Sequence, residues 1–364
     1  MNAHIVQDMA ALRDQEPAWQ ALYERVAQAS LFTSPAWVLN WLHSFAAPDS
    51  LRCVMVYNHD GLQAVLPLVR VATRWRRIPV VALCACTNAH SVRSAWLYQP
   101  VFKEAIVAAA LRVLRQAGQW DMLLLDGCAG ANDGAALPAL PNEEPVQHWI
   151  HSRLDIQGTW ADYLPTRSRD LRRNLRRTAE GLGALGTVEF KVHTDGPDQL
   201  LQHWVAIDRA SWKAQSGEMV DSNPQTQHYY RNMLQQFAAH RQLLGGVLLL
   251  DGCPIATVIC AHDKGMCHTL KTAMRQDTAG ARLSTGALVM AYLLEHLWSH
   301  PSIRCVDFVS KQAYTDRWTS DNLAFERRLV FARSLRGQLV RTIEALLRWI
   351  APLRRTASST TSHE

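Results

Sequence analysis

The chain has 364 residues, 48% of them hydrophobic and 19% charged, with a net charge of +6. That length favours two domains over one, and the apolar content excludes a disordered chain. A moderate positive charge suits nucleic acid, a membrane surface or anionic small molecules, and by itself selects none of them.

The eight cysteines are scattered, with only Cys84 and Cys86 close together and no CxxC pair. The spacing argues against a zinc or thioredoxin-like site, and no metal is expected. A reduced, cytoplasmic protein is the simplest reading. The N-terminus lacks the basic-then-apolar pattern of a signal peptide, and no uninterrupted apolar run reaches the ~18 residues of a membrane span.

In chain order, Leu12, Trp19, Leu22 and Val26 fall at helical spacing. "SPAWVLNWLHSF" then predicts a helix capped by Ser34 with Pro35 at its first position. Two apolar runs flank Asp60-Gly61, a pair that favours a tight hairpin. The strand "VVALCAC" and the polar loop "TNAHSVRSAW" come next. A helix over about Lys103–Gln116 leads into the strand "WDMLLLDG". Residues Gly127–Pro145 are rich in Ala, Gly, Pro and Asn and read as a connector, so the domain boundary falls between about Gly130 and Tyr163.

The second part predicts a basic helix over about Trp160–Leu182, the strand "TVEFKVH", two helices, and three strands joined by Asp251-Gly252 and "DKG". A small-residue turn with Gly280, Ser284, Thr285 and Gly286 opens an apolar helix. The strand "IRCVDFV", a short helical piece at Tyr314–Trp318 and a last strand, "LAFERRLVFA", complete the order βααβββαβαβ. Both parts carry an apolar hairpin centred on Asp-Gly, then a helix and an apolar strand, which suggests two related units, the first abbreviated.

This order resembles the GNAT N-acyltransferase fold, and the details resemble its tandem branch of CelD-like cellulose-biosynthesis acetyltransferases and Fem-type aminoacyl transferases. The resemblance rests on "RDLRRNLRR", "GCPIATVICAHDKGMCHTLKTA", "LSTGALVMAYLLEHL" and "VDFVSKQAYTDRW", with "LFTSPAWVLNWLHSF" and "GLQAVLPLVRV" nearer the N-terminus. It covers roughly Phe32–Ala332. It implies an α/β chain of two tandem GNAT-like units with mixed, mostly antiparallel sheets: residues 1–150 a degenerate unit and 160–333 the acyl-CoA-binding unit. Residues 334–364, beyond the resemblance, read from their own pattern as an amphipathic helix and disordered tail. The family's glycine-bearing turn is kept in part, by Arg282, Gly286 and Ala287, while Thr285 stands where its first glycine would be. The loop at the equivalent place in the first part has no glycine, which implies one acyl-carrier site per chain.

A helix N-terminus with exposed N–H groups is a ready pyrophosphate site. The resemblance therefore implies acetyl-CoA or another acyl-CoA at Arg282, Leu283, Ser284, Thr285, Gly286 and Ala287. Plain helix capping is the alternative. Acyl transfer to an amine needs a base, carbonyl stabilisation and a proton for the leaving thiolate. Asp307, among apolar neighbours, is the first candidate base, since burial raises a carboxyl pKa. His268 is the second, and a structural role suits either. Tyr314 is the candidate acid or a packing partner of Trp318. The strand from His268 to Met274, with Lys271 in it, shows no bulge in its residues.

Asn88, His90 and Arg93, with Lys271, are the candidate acceptor-binding residues. Arg169, Arg172, Arg173 and Arg176 suit an anionic group or a solvated face, and nothing in the sequence supports base readout. Leu335, Leu339, Ile343, Leu347 and Ile350 form a stripe on a basic C-terminal helix, which can dock on its own domain or lie on a membrane. The resulting expectation is an acyl-CoA-dependent N-acyltransferase acting on a small amine or sugar acceptor in exopolysaccharide or cell-envelope synthesis. It would be cytoplasmic and able to reach the inner membrane peripherally. The alternatives are aminoacyl transfer from tRNA and a catalytically silent partner of a polysaccharide synthase.

Overall fold

The computed structural model describes residues 1–93, 96–129, 137–216, 219–277 and 279–358. Parts of the predicted connector, of the polar loop and of the C-terminal tail lie outside these residues. The chain forms two compact units, one comprising residues 1–42, 46–149 and 325–364 and the other 43–45 and 150–324.

The first unit opens with a strand that sequence patterning missed, β1 (Asn2–Val6), and then α1 (Met9–Asp14), α2 (Glu16–Arg25) and α3 (Pro35–Phe45). Ser34 caps α3, its hydroxyl accepting from Trp37 N–H. Strands β2 (Cys53–Asn58), β3 (Gly61–Leu66), β4 (Leu68–Trp75), β5 (Ile78–Ala85) and β6 (Leu97–Tyr98) follow, with helix α4 (Lys103–Ala117) and strand β7 (Met122–Ala129) after them. One sheet runs β1-β2-β3-β6. In the other, β5 lies between its antiparallel hairpin partner β4 and the parallel strand β7. Helix α4 buries Ile106, Ala110, Leu111 and Leu114 against Val54, Leu66 and Leu123.

Strand β8 (Glu143–Asp155) begins inside the predicted connector. The second unit holds its last residues and then α5 (Trp160–Tyr163), α6 (Arg169–Gly183), β9 (Val188–His193), α7 (Pro197–Arg209), α8 (Lys213–Ser216) and α9 (Pro224–Ala239). Strands β10 (Leu243–Leu250), β11 (Cys253–Asp263) and β12 (Met266–Met274), helix α10 (Thr285–Trp298) and strand β13 (Cys305–Asp307) complete it. Its sheet order is β8-β13-β12-β11-β10-β9. The Asp251-Gly252 and Lys264-Gly265 pairs all have positive φ, as tight hairpins require. The predicted long basic helix is broken: Leu164–Thr166, containing Pro165, form a 3-10 turn, and Ser168 recaps the chain as α6. Leu171, Leu175, Thr178 and Leu182 give α6 a buried face packed with Leu288, Val289 and Leu293 of α10.

The two units share a build: a hairpin, a crossover helix, and a strand parallel to the second hairpin strand (β5 with β7, β12 with β13). The last strand, β14 (Asn322–Phe331), was expected in the second unit. It runs antiparallel to β7, so Phe325 onward, with helix α11 (Leu335–Ser358), belongs to the first. The end of β8 is paired with β13 in the second unit. Each strand thus pairs with a unit other than the one whose sequence immediately precedes it. Local pattern carries no information on that choice, because either partner satisfies the strand's hydrogen bonds.

Arg328 of β14 shows what fixes the closure. It is 5% exposed and forms a forked ion pair with Glu143, while its Nη2 donates to the Pro138 carbonyl at 2.9 Å. Removing Glu143 takes away the forked partner and leaves the buried guanidinium the more distant Glu326 carboxylate, at 3.6 Å. Glu143→Ala should therefore cost about 3–5 kcal/mol of unfolding free energy. The double variant Glu143→Leu with Arg328→Met should recover most of that loss in urea denaturation.

Candidate active site

The site forms where two parallel strands part. β12 and β13 are paired from Met266 with Cys305 to His268 with Asp307, and β12 runs on to Met274 beyond β13's last residue. The sequence gives no sign of a bulge in β12, yet there is one. Ile259 pairs with Lys271 and the next residue, Cys260, pairs with Thr269, which leaves Leu270 as the extra residue. A bulge bends the strand and increases its twist, and it falls immediately after the last β12–β13 pair.

Asp307 has no exposed surface. Its Oδ2 lies 3.1 Å from His268 Nδ1, its Oδ1 accepts the Val309 N–H at 2.8 Å, and His151 Nδ1 lies 3.7 Å from Oδ1. Both histidines are almost fully buried. A carboxylate is an acceptor, so His268 carries a proton on Nδ1, and in the neutral ring Nε2 is then the acceptor nitrogen. The two residues proposed separately as bases thus form one dyad. Val309 holds φ at 51°, a costly conformation for a β-branched residue. That turn aims its N–H at the carboxylate. His151 was missed by sequence reasoning, although the alternating stretch "VQHWIHSRL" that carries it is a strand signal.

Ser152 Oγ and Thr315 Oγ1 lie 2.8 Å apart, tying the turn after β13 to β8. The predicted helical piece is that turn. Tyr314 stands on it, 40% exposed with its hydroxyl 3.4 Å from Ser310 Oγ, while Trp318 is buried. Tyr314 is thus placed outward and not as a core partner of Trp318. Lys271 has its ammonium 5.7 Å from the Tyr230 ring centroid.

The small-residue turn is a 3-10 turn, Ala279–Arg282, leading into α10. Arg282 is exposed, Leu283 and Ala287 are half-buried, and Thr285 is buried. Leu283 packs on α6, where a Cβ on Gly181 would lie 3.1 Å from it. Part of the turn satisfies itself: Thr285 N–H bonds to the Leu283 carbonyl, and Ala287 and Leu288 N–H to that of Ser284. The Ser284 hydroxyl makes no capping bond. A Cβ on Gly286 would lie 3.1 Å from Met274 Sδ, so the backbone there approaches β12 as closely as a side chain would allow.

Burial pushes the Cys305 thiol up, and burial with neighbouring Cys267 raises Cys260 well above its ordinary value. These thiols stay protonated near neutral pH, which makes them poor nucleophiles. Among the described residues no group of His, Cys, Asp and Glu could hold a metal ion.

The remaining candidates lie in the first unit. Asn88 Oδ1 accepts the N–H groups of His90 and Ser91, closing its own turn. His90 is half-buried. Arg93 is 5% exposed and clamped between the Phe32 and Phe325 rings, 4.1 and 4.5 Å from their centroids. Its guanidinium is therefore a packed part of that unit's core, which corrects its assignment to an open recognition loop. The reason is cation–π packing, invisible without the tertiary neighbours.

Residues 169–318 match the family described as "Acetyltransferase (GNAT) domain". This stretch is a GNAT domain. It contains the whole splay, the dyad's strands and the turn, and the protein is an acyltransferase. No curated protein matches the chain in sequence. In fold it is similar to FemX, with a TM-score of 0.63 at 10% identity over 94% of this chain and 100% of that one. It is also similar to the C-terminal domain of a putative lysylphosphatidylglycerol synthetase from Agrobacterium fabrum, with a TM-score of 0.51 at 8% identity over 91% and 96%. A conserved protein of unknown function from Bacteroides thetaiotaomicron gives 0.50 at 11% identity over 90% and 99%.

Asp307→Leu should leave the Val309 N–H and the His268 ring without their acceptor, at about 1–3 kcal/mol for each buried group. Asp307→Asn keeps an acceptor oxygen and should cost less. The ordering of the two urea midpoints checks the assignment.

Proposed function

We propose that the second unit transfers an acyl group, most simply acetyl, from acyl-coenzyme A to an amine acceptor. The observation that carries this is the parting of β12 from β13 directly before the glycine turn and α10, inside the GNAT domain. The fit to coenzyme A rests on Gly286, where a Cβ would fill the gap to Met274. It rests also on the Ser284 hydroxyl, which no capping bond uses. Gly286 and Ser284 would hold the pyrophosphate with Arg282 at the edge, and the bound group would supply the activated thioester carbonyl.

The chain's own residues supply the rest. Past His268, β12 has no β13 partner, so its backbone there is the candidate polariser of the carbonyl. His268, with Nδ1 held by Asp307, takes the amine's proton at Nε2, and Tyr314 on the outward turn is the candidate donor to the leaving thiolate. The protonated state of Cys260 and Cys305 favours direct attack by the amine over an acyl-cysteine intermediate. The packed Arg93 and self-closed Asn88 turn support a single acyl-carrier site per chain. The sequence resemblance to CelD-like proteins is what supports an acceptor among amino sugars or amino-acid derivatives of envelope or exopolysaccharide synthesis.

A second reading, aminoacyl transfer from tRNA, is favoured by one observation. Arg169, Arg172, Arg173, Arg176 and Arg177 are all exposed on α6. Titration calorimetry separates the two. Saturable acetyl-CoA binding, abolished by Gly286→Trp, is the expected result. No heat with acetyl-CoA, together with binding of charged tRNA, would move the assignment to the second reading.

With an acceptor in hand, His268→Gln should lower kcat by about 10²–10⁴-fold while leaving acetyl-CoA affinity unchanged. Full activity in that variant would remove the dyad from the mechanism.

A further inference from the structure

Helix α11 docks by one face and turns an apolar row away from the unit that carries it. The docked residues are Gly337, Val340 and Glu344, spaced i, i+3 and i+7. Val340 is fully buried with Val80, Ala82, Met122, Leu329 and Phe331. A Cβ on Gly337 would come within 2.7 Å of the Asp121 and Ala332 carbonyl oxygens, so glycine permits the close approach. Glu344 is 2% exposed and accepts from Trp75 Nε1 at 2.6 Å and Arg76 Nε at 2.9 Å.

The stripe read from sequence is therefore not the docking face. Leu335, Leu339 and Leu346 are 93%, 52% and 52% exposed, with Leu347 beside them at 38%. Positions 335, 339 and 346 follow helical spacing and form one row. The Ile350 side chain lies outside the described residues. Arg333 and Arg336 are exposed at the start of this face. From Arg333 to Arg355 the sequence holds six arginines and one carboxylate, Glu344, and that carboxylate is turned inward against Trp75 and Arg76.

We infer that α11 is a membrane-surface helix whose leucine row enters the headgroup–acyl boundary of an anionic bilayer. Charge decides the occupant. A second copy pairing through this face would be isologous and would set the same cationic surface against itself. A bilayer with anionic headgroups meets leucines and arginines at once, which is the pattern of a helix lying in the interface. No helix among the described residues is long and apolar enough to cross a membrane. The inference does not depend on the acyltransferase chemistry, since every residue it uses is in the first unit.

Co-sedimentation of the full chain with vesicles tests it. Vesicles containing phosphatidylglycerol should bind the protein, phosphatidylcholine vesicles should bind it far less, and binding should fall as salt rises. Leu339→Ser with Leu346→Ser should reduce partitioning about tenfold or more. Arg333→Gln with Arg336→Gln should reduce it by a similar factor on anionic vesicles alone. Both pairs are exposed, so an unchanged thermal unfolding curve confirms that the fold is intact. Absence of binding to anionic vesicles would overturn the inference, as would wild-type binding by the leucine variant. A concentration-dependent dimer that the leucine variant dissolves, without lipid binding, would give the face to a second copy.

Discussion

The second unit is organised around a carboxylate that has no contact with solvent. Burying a charge is tolerable only where hydrogen bonds and ring partners surround it. Asp307 therefore dictates its setting: the His268 ring on β12, His151 on β8, and the Val309 N–H delivered by a strained backbone. β13 contributes just three residues, and it needs β12 on one side and β8 on the other to hold that carboxylate in place. The parting of β12 from β13 begins at the same pair, with the Leu270 bulge following at once. The buried His268–Asp307 pair and a strand backbone without a β13 partner thus arise at one place in the sheet.

The first unit repeats the architecture without repeating this chemistry. Its parallel pair, β5 and β7, leads to a carboxylate, Asp126, that is already met by Arg327 and the Thr87 hydroxyl. Arg93 lies against Gly127, where a Cβ would come within 2.8 Å of its backbone, and between two aromatic rings. Groups that could serve chemistry in an open cleft are used here to fill and neutralise a core. That difference is what favours one catalytic site per chain. It also leaves the first unit free for other duties, among them carrying α11.

Much of the fold was legible in the sequence, for identifiable reasons. Asp-Gly pairs between apolar runs set two of the hairpins: Asp251, Gly252 and Gly61 take positive φ, which is cheap for those residues. Ser34-Pro35 announced α3, and the 3.6-residue spacing of Leu171, Leu175 and Leu182 announced the buried face of α6. His268 and Asp307 stood out as titratable residues in apolar strands. None of these inferences requires knowing which strand lies beside which.

What only the tertiary structure decided is pairing. Whether β14 joins β7 and whether His268 meets Asp307 depend on register between segments about 200 and 39 residues apart, and the Leu270 bulge depends on the register of the β11–β12 hairpin. Local propensity is blind to that register. The same holds for Arg93, which a sequence presents as a loop cation and the packing turns into a core residue. It holds for α11, whose sequence displays a leucine stripe but not which side of the helix a buried Glu344 would claim. Periodicity fixes which residues share a face, while long-range contacts decide what each face meets.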